Sequence, residues 1–206
     1  MPVALPVVAL VGRPNVGKSS LFNRIVGVRR AIIADQPGTT RDRSYETIDW
    51  GGKTFLLVDT AGLTTRGMDE LAEAAEEQAR AAVTEAELLL VVTDVLSGLT
   101  ALDEAVAAIV RRSDKPSLLV VNKCDTGERG QQSPDFYRLG LGDPHSVSAQ
   151  HGTGIADVLD EVVTLLPSIE GAVEHANSPP RVAIVGRPNV GKSSLLNWFA
   201  GQDRAL

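Results

Sequence analysis

The sequence predicts an α/β fold in which a mostly parallel, six-stranded sheet carries helices on both faces. Short apolar runs alternate along the chain with longer segments of helical periodicity, the pattern of repeated strand–helix units. Most of the short runs are wholly apolar, as expected for strands covered on both faces. Gly51-Gly52 separates two of the runs and predicts a hairpin, because two glycines accept the positive φ that such a turn needs.

Taken in chain order, the apolar runs predict six strands and the periodic segments predict four helices. The predicted strands are residues 3–11, 44–50, 54–58, 88–93, 118–121 and 145–148. The predicted helices are residues 18–26, 69–85, 101–112 and 155–166. Residues 69–80 are rich in Ala and Glu and are interpreted as part of a charged surface helix rather than an acidic binding tail.

Composition narrows the function classes. The 206 residues are 43% hydrophobic, which excludes a disordered tail or a fibrous repeat. A net charge of −6 argues against non-specific binding to DNA or anionic lipid, although a local basic patch can still contact RNA. Cys124 is the single cysteine, which excludes a disulfide framework and fits a reducing cytosol. No apolar run reaches the length of a membrane helix, so a cytoplasmic protein is expected.

One long segment occurs twice. Residues 8–21 recur as residues 182–195 with a single difference, Leu10 against Ile184. This spacing predicts two domains in tandem: a first domain over residues 1–168, a linker over 169–180 and the start of a second domain over 181–206. The second domain is expected to be incomplete, and residues from about 175 onward are expected to be poorly ordered or to adhere to a neighbouring surface.

A glycine-rich loop between the first strand and the first helix has the pattern GxxxxGK[ST]. Its glycines allow backbone N–H groups to surround a phosphate, and the helix N-terminus adds its positive end. Lys18 is predicted to reach the outer phosphates and the Ser19 hydroxyl to ligate Mg²⁺. A structural turn is the alternative, but it would have to arise twice. The second copy comprises Gly186, Arg187, Pro188, Asn189, Val190, Gly191, Lys192 and Ser193.

Two further motifs follow predicted strands. Asp59-Thr60-Ala61-Gly62 is predicted to place a carboxylate beside the Mg²⁺, behind its direct ligands, and a glycine N–H near a γ-phosphate. The segment 49–52 matches the same weak DxxG pattern but is assigned to the hairpin turn.

Asn122-Lys123-Cys124-Asp125 follows a buried strand and distinguishes guanine from adenine. The Asp125 carboxylate can accept the N1–H and the 2-amino group of guanine, a donor pair that adenine lacks, while the Lys123 stem lies on the base. Ser148-Ala149 completes the pocket, with the Ala149 N–H placed for guanine O6. The predicted GTP-binding set is Gly12, Arg13, Pro14, Asn15, Val16, Gly17, Lys18, Ser19, Ser20, Asp59, Thr60, Ala61, Gly62, Leu63, Asn122, Lys123, Cys124, Asp125, Ser148 and Ala149.

The order of these motifs resembles a translation-factor-class P-loop GTPase. The repeated GRPNVGKS segment, PGTTRDR at residues 37–43, LGLG at 139–142 and SAQHG at 148–152 resemble the EngA/Der family, bacterial GTPases with two tandem G domains. The resemblance implies GTP hydrolysis, Mg²⁺ and assembly of the large ribosomal subunit, with the ribosome or rRNA as partner. A monomer is expected.

The resemblance also implies roles for individual residues. Thr40 is predicted to contact Mg²⁺ and the γ-phosphate, with Thr39 as its rival. Leu63 stands where Ras-like enzymes place a glutamine, so Asn15 is predicted to supply a K⁺ ligand that assists catalysis. The predicted catalytic group is therefore Asn15, Lys18, Thr40 and Gly62.

The chain departs from the family pattern in two ways. The DxxG motif reads DTAG rather than the common DTGG, and most of the second G domain and the KH-like domain are not in the sequence. Two other functions stay open: a nucleotide-sensing regulatory module with negligible turnover, and a nucleotide or small-molecule kinase that would leave NKCD and DTAG unexplained.

Overall fold

The computed structural model describes residues 5–30, 44–60, 68–126 and 133–167, and nothing is said of the others. Contacts divide the chain into Met1–Ser168 and Ile169–Leu206, and all described residues lie in the first unit. The predicted linker, the second domain and the expected disorder beyond residue 175 lie outside the described residues. None of the described helices combines the length and apolar character that crossing a bilayer requires.

The described elements alternate strand and helix, with one hairpin near the start. The strands are β1 (Val7–Val11), β2 (Ser44–Trp50), β3 (Lys53–Asp59), β4 (Leu88–Asp94), β5 (Ser117–Asn122) and β6 (Pro144–Ser146). The α-helices are α1 (Lys18–Arg30), α2 (Met68–Glu85), α3 (Ala101–Arg111) and α4 (Ile155–Leu165), and a 3-10 helix spans Ser133–Leu139.

The strands form a six-stranded sheet in the order β2-β3-β1-β4-β5-β6. Every neighbouring pair is parallel except β2 and β3, which pair antiparallel from Ser44↔Asp59 to Trp50↔Lys53. The α/β fold with a mostly parallel sheet is thus confirmed. Because β1 lies near the middle of the sheet, the loop that follows it lies between the ends of other strands.

Two apolar clusters cover the two faces of the sheet. On one face α1 and α4 pack on alternate strand residues, with Ile25 and Val158 each 1% exposed. On the other face α2, α3 and the 3-10 helix pack on the intervening residues, with Ala82 4% exposed and Phe136 1%. Since both faces are covered, β4 is buried along its whole length, which explains its continuous apolar run.

The hairpin forms as predicted, and it contacts α4. Gly51 and Gly52 have φ of 53° and 80°, the pair of positive values expected for a tight two-residue turn. The DxxG pattern at 49–52 therefore belongs to the turn. Trp50 Nε1 donates to Asp160 Oδ1 at 2.7 Å, and Lys53 Nζ donates to Leu166 O at 2.8 Å. These two bonds attach the tip of the hairpin to the middle of α4 and to the residue that follows the helix.

Several predicted boundaries were wrong by a few residues. β1 begins at Val7 rather than at residue 3, and α1 continues through Gly27 to Arg30. β6 ends at Ser146 instead of 148 because Ser148 pairs with Thr153 in an isolated antiparallel bridge. The 3-10 helix was not predicted.

Candidate functional site

The predicted motifs meet at the carboxyl edge of the sheet. β1, β3, β4 and β5 end at Val11, Asp59, Asp94 and Asn122, and the parallel arrangement brings these ends to the same side. Open α/β sheets bind ligands at this edge, outside the carboxyl ends of their strands. The sheet thus brings the phosphate-loop, DxxG and NKCD motifs together.

The loop between β1 and α1 has a backbone that only glycine permits at two positions. Gly12 has φ of 148°, and a Cβ there would lie 2.2 Å from Val92 O. Gly17 has φ of 96°, and a Cβ there would lie 2.4 Å from Asn122 Nδ2. Asn15 also has positive φ, 66°, and is exposed. Glycine at these two positions therefore allows the loop to take its curved path, because a side chain would collide with Val92 O or with the Asn122 amide.

Lys18 begins α1, and its side chain folds back over the loop. Its Nζ donates to Gly12 O at 2.6 Å and to Arg13 O at 3.0 Å. Burial lowers the pKa of the Lys18 ammonium to about 8, Asp59 opposes the shift and the Arg13 charge adds to it. Only 5% of the residue is exposed, so this cation is held at the loop with little solvation.

The described half of the DxxG motif lies beside the loop. Asp59 is the last residue of β3, is 7% exposed and pairs in register with Leu10 of β1. Thr60 Oγ1 donates to Leu10 O at 2.6 Å, which holds the start of the motif against β1. Thr40, Ala61, Gly62, Leu63 and the second loop at 186–193 lie outside the described residues.

Asn122 connects the two sides of the site. Its Nδ2 donates to Val16 O at 2.9 Å, and its Oδ1 accepts the Ala149 N–H at 3.0 Å. The residue is 2% exposed, and both ends of its amide have partners. Without a nucleotide the Ala149 N–H is bonded to Asn122 Oδ1, so a guanine O6 would have to share or displace this bond, and the assignment of the N–H to O6 stays a prediction.

Lys123 is fixed by a residue that the sequence reasoning missed. Its Nζ donates to Asp94 Oδ2 at 2.6 Å and to Asn15 O at 3.0 Å, so it joins the end of β4 to the phosphate loop. The backbone of Lys123 has φ of 68°. Asp94 ends an otherwise apolar buried strand, and a carboxylate at such a strand end was the signal that could have identified it.

Asp125 is oriented by the segment that follows β6. Ser148 Oγ donates to Asp125 Oδ1 at 2.6 Å and accepts the His151 N–H at 3.0 Å. Between these motifs, Cys124 N donates to Val147 O at 2.9 Å. The predicted pairing of NKCD with Ser148-Ala149 in one pocket thus has a physical basis in three hydrogen bonds: Ser148 to Asp125, Ala149 to Asn122 and Cys124 to Val147.

The Arg13 side chain leaves the loop toward α3. Arg13 Nε donates to Asp103 Oδ2 at 3.2 Å, and Nη2 donates to Ser97 Oγ. Asp103 Oδ2 also accepts Thr100 N at 3.0 Å, within the capping box that begins α3. Arg13 was predicted to bind GTP, but its guanidinium ties the loop to α3, so only its backbone lies in the loop.

The donor set suits magnesium. Ser19 is exposed in the first turn of α1, and Asp59 ends the neighbouring strand, so both offer the hard oxygen ligands that Mg²⁺ prefers. Mg²⁺ is usually held by one or two protein groups together with phosphate oxygens, which fits a hydroxyl beside a phosphate loop.

A protein-family comparison identifies the chain's relatives. The family described as "50S ribosome-binding GTPase" matches residues 7–123 and 181–206. The chain belongs to this GTPase family. That result confirms the predicted class of P-loop GTPase.

The curated relatives confirm the resemblance to the EngA/Der family. GTPase Der of Herpetosiphon aurantiacus is 53% identical over 98% of this chain and 45% of its own length. GTPase Der of Porphyromonas gingivalis is 50% identical over 97% of this chain and 46% of its own length. The chain therefore spans a little under half the length of the curated relatives it matches.

Solved structures share the fold. Aquifex aeolicus Era bound to GDP·AlF4⁻ has a TM-score of 0.62 at 24% identity, covering 81% of this chain and 58% of Era. Era with MgGDPNP and a segment of 16S ribosomal RNA has a TM-score of 0.62 at 26% identity, with the same coverages. The G domain of T. maritima FeoB has a TM-score of 0.55 at 26% identity, covering 78% of this chain and 98% of that domain.

Proposed function

We propose that this chain binds GTP at the carboxyl edge of the sheet and hydrolyses it to GDP and phosphate. The observation that carries the proposal is the Asn122 amide, which bonds to Val16 O of the phosphate loop and to Ala149 N of the guanine side. One buried side chain thereby holds the groups for the two ends of a nucleotide in a fixed relation. Membership of the GTPase family supports the same conclusion.

Guanine is the base that the side-chain chemistry favours. The Asp125 carboxylate, oriented by Ser148 Oγ, accepts hydrogen bonds and donates none when ionised, so it matches the N1–H and 2-amino donors of guanine. Adenine has no such donor pair on that edge. Asp94 Oδ2 and Asn15 O both hold the Lys123 Nζ, and the apolar stem behind it would give the base a surface to lie on.

The phosphates lie over the loop and the N-terminus of α1. There, the backbone N–H groups and the Lys18 ammonium stabilise negative charge. Lys18 now bonds to loop carbonyls and must exchange Gly12 O or Arg13 O for phosphate oxygens. Ser19 and Thr40 would hold Mg²⁺, with Asp59 behind them, and the ion would neutralise phosphate charge. Gly62 is proposed to donate its N–H to the γ-phosphate.

Hydrolysis breaks the bond between the β–γ bridging oxygen and the γ-phosphorus, and water supplies the new oxygen. Leu63 has no donor or acceptor to orient that water. We therefore include in the proposal that Asn15, exposed in the loop, would offer its side-chain oxygen to K⁺, which would supply positive charge for the transition state.

Assembly of the large ribosomal subunit is the proposed cellular role, and the ribosome or rRNA the proposed partner. The family description names binding to the 50S ribosome, and an Era structure contains a 16S rRNA segment. We also propose that the chain acts as a monomer in the cytoplasm.

Equilibrium binding of GTP and ATP to the full 206-residue chain tests nucleotide choice. GTP is expected to bind at least about a hundredfold more tightly, because ATP leaves the Asp125 carboxylate without its two donors. Equal affinity for the two nucleotides, or no binding of either, would contradict the proposal.

Single-turnover hydrolysis of labelled GTP tests catalysis. Phosphate is expected to be released slowly in Mg²⁺, faster in K⁺ than in Na⁺, and not by a Lys18→Ala variant. Equal rates in the two salts would remove the K⁺ role. Tight GTP binding with no phosphate release would instead favour a nucleotide-sensing module, and labelled phosphate on an acceptor other than water would favour a kinase.

A further inference from the structure

Arg24 lies in α1, six residues after Lys18, and contacts the segment that follows β6. Its Nε donates to Ala149 O at 2.7 Å, and its Nη2 donates to Gln150 O. The partners are 125 and 126 positions away in sequence. Two successive carbonyls suit a guanidinium because its N–H groups point in fixed directions within one plane.

The two peptide units that flank Ala149 are each held by a side chain. The Ala149 N–H donates to Asn122 Oδ1 at 3.0 Å, and the Ala149 C=O accepts from Arg24. The residue is 6% exposed, so water has little access to replace either bond. Each of these two neighbouring peptide units therefore carries one side-chain restraint, one from Asn122 and one from Arg24, and together they fix the orientation of the segment.

The neighbouring residue passes this restraint to the guanine-binding carboxylate. Ser148 precedes Ala149, and its Oγ donates to Asp125 Oδ1 at 2.6 Å. Ser148 is itself 0% exposed and accepts the His151 N–H at 3.0 Å. The direction in which Asp125 faces therefore depends on the backbone that Arg24 holds.

We propose that Arg24 is a positioning residue for guanine selectivity, which ties the phosphate-binding helix to the segment that orients Asp125. It acts through the backbone of Ala149 and Gln150. The inference rests on the proposed function, because it concerns how the same pocket discriminates between bases. It gives α1 two roles: its first turn faces the phosphates, and its second turn supports the base side.

Equilibrium binding of GDP and IDP to the full chain tests this role. Inosine lacks the 2-amino group, so IDP forms one bond fewer to Asp125. The wild-type chain is expected to prefer GDP by about thirtyfold, since a hydrogen bond to a charged acceptor has about that effect. In Arg24→Ala the GDP/IDP preference is expected to fall about fivefold, chiefly through weaker GDP binding, because a less restrained carboxylate gains less from the extra donor.

The outcomes separate this inference from the proposed function. No preference for GDP in the wild-type chain would overturn the proposed function. A clear preference that Arg24→Ala retains in full would overturn the positioning role alone, even if the variant has a lower Tm. That result would mean that Arg24 only stabilises the fold.

Two further variants complete the design. Arg80→Ala removes an exposed arginine of α2, which pairs with Glu76 at 3.3 Å, and is expected to leave the GDP/IDP preference unchanged. Arg24→Lys keeps the charge but lacks the planar two-point geometry, so its preference is expected to fall about threefold. If Arg24→Ala does not fold, Arg24→Lys decides: a reduced preference supports the role, and a wild-type preference overturns it.

Discussion

The two ends of the proposed nucleotide site, here called the phosphate side and the guanine side, are built from different parts of the chain. The phosphate side, residues 12–19, is defined by backbone conformation, with Gly12 and Gly17 in positions where a Cβ would collide with a neighbour. The guanine side is defined by side chains that hold one another, such as Asn122 on Ala149 and Ser148 on Asp125. Binding a charged phosphate at the phosphate side would need many backbone N–H groups. Recognising a base at the guanine side would need only a few hydrogen-bonding atoms in fixed positions.

This difference predicts different responses to substitution. A change on the phosphate side alters the path of the backbone, so stability and binding fall together. On the guanine side a change removes particular hydrogen bonds, so selectivity can change while the fold persists. The following four predictions test that contrast, from the largest expected effect to the smallest.

Gly12→Ala is expected to reduce the free energy of unfolding by about 3 kcal/mol or more, because the new Cβ would meet Val92 O at 2.2 Å and φ is 148°. Urea unfolding measures the change. Gly27→Ala is the matched control: nothing lies within 4 Å of its added Cβ, and it lies inside α1. That variant is expected to gain about 0.5–1 kcal/mol. Similar midpoints for both variants would contradict this account of the loop.

Asp125→Asn is expected to weaken GTP binding about a hundredfold with the unfolding midpoint little changed, because an amide presents N–H to the guanine donors. The same amide can donate to the C2 carbonyl of xanthine, so xanthosine triphosphate is expected to bind better than GTP. Calorimetric titration of both nucleotides measures the exchange. An unchanged order of affinities would mean that Asp125 does not read the base.

Asn122→Ala is expected to cost about 2 kcal/mol of folding stability, because it leaves Val16 O and Ala149 N without their partner in a buried site. GTP and ATP affinities are both expected to fall, since the phosphate loop loses a support too. Asn23, which is exposed in α1, provides the control. Asn23→Ala should change the free energy of unfolding by less than about 0.5 kcal/mol. A loss confined to GTP would contradict the bridging role.

Lys18 predicts a pH dependence. Burial lowers its pKa to about 8, so nucleotide affinity is expected to fall about tenfold from pH 7 to pH 9 as the ammonium loses its proton. The folding stability of the nucleotide-free chain is expected to change with pH in the opposite direction to nucleotide affinity. Between the folded pKa near 8 and the ordinary value of 10.5, the unfolded chain binds more protons, so stability rises with pH. Titrations of Lys18→Arg, which stays charged, should lack the break near pH 8.

The sequence predicted the sheet because apolar runs that are buried on both faces are distinctive, as in β4, and because Gly51-Gly52 specifies its turn chemically. It did not predict the 3-10 helix, whose buried anchors are mainly Phe136 and Leu139. Two apolar residues three apart in a short segment with a proline carry too little periodicity.

The sequence predicted that the phosphate loop, the start of DxxG and NKCD lie together, because each follows a strand whose carboxyl end falls at the same edge of the sheet. The residues that hold these motifs in place could not be predicted from the sequence. Arg24 and Asp94 acquire roles only through partners 125 and 29 positions away, and pairing over such separations is set by the sheet order. For the same reason the bond from the Ala149 N–H to Asn122 was not predicted.

The β2–β3 hairpin contains seven residue pairs, from Ser44↔Asp59 at the carboxyl edge of the sheet to Trp50↔Lys53 beside α4. At about 3.4 Å per residue it acts as a stiff rod roughly 20 Å long. Trp50 donates a hydrogen bond to Asp160, and Lys53 donates one to Leu166. Moving the hairpin along its length by one residue would therefore break both hydrogen bonds. A shift of the hairpin at its Asp59 end would therefore also move the end of α4 and the residues that lead to Pro167.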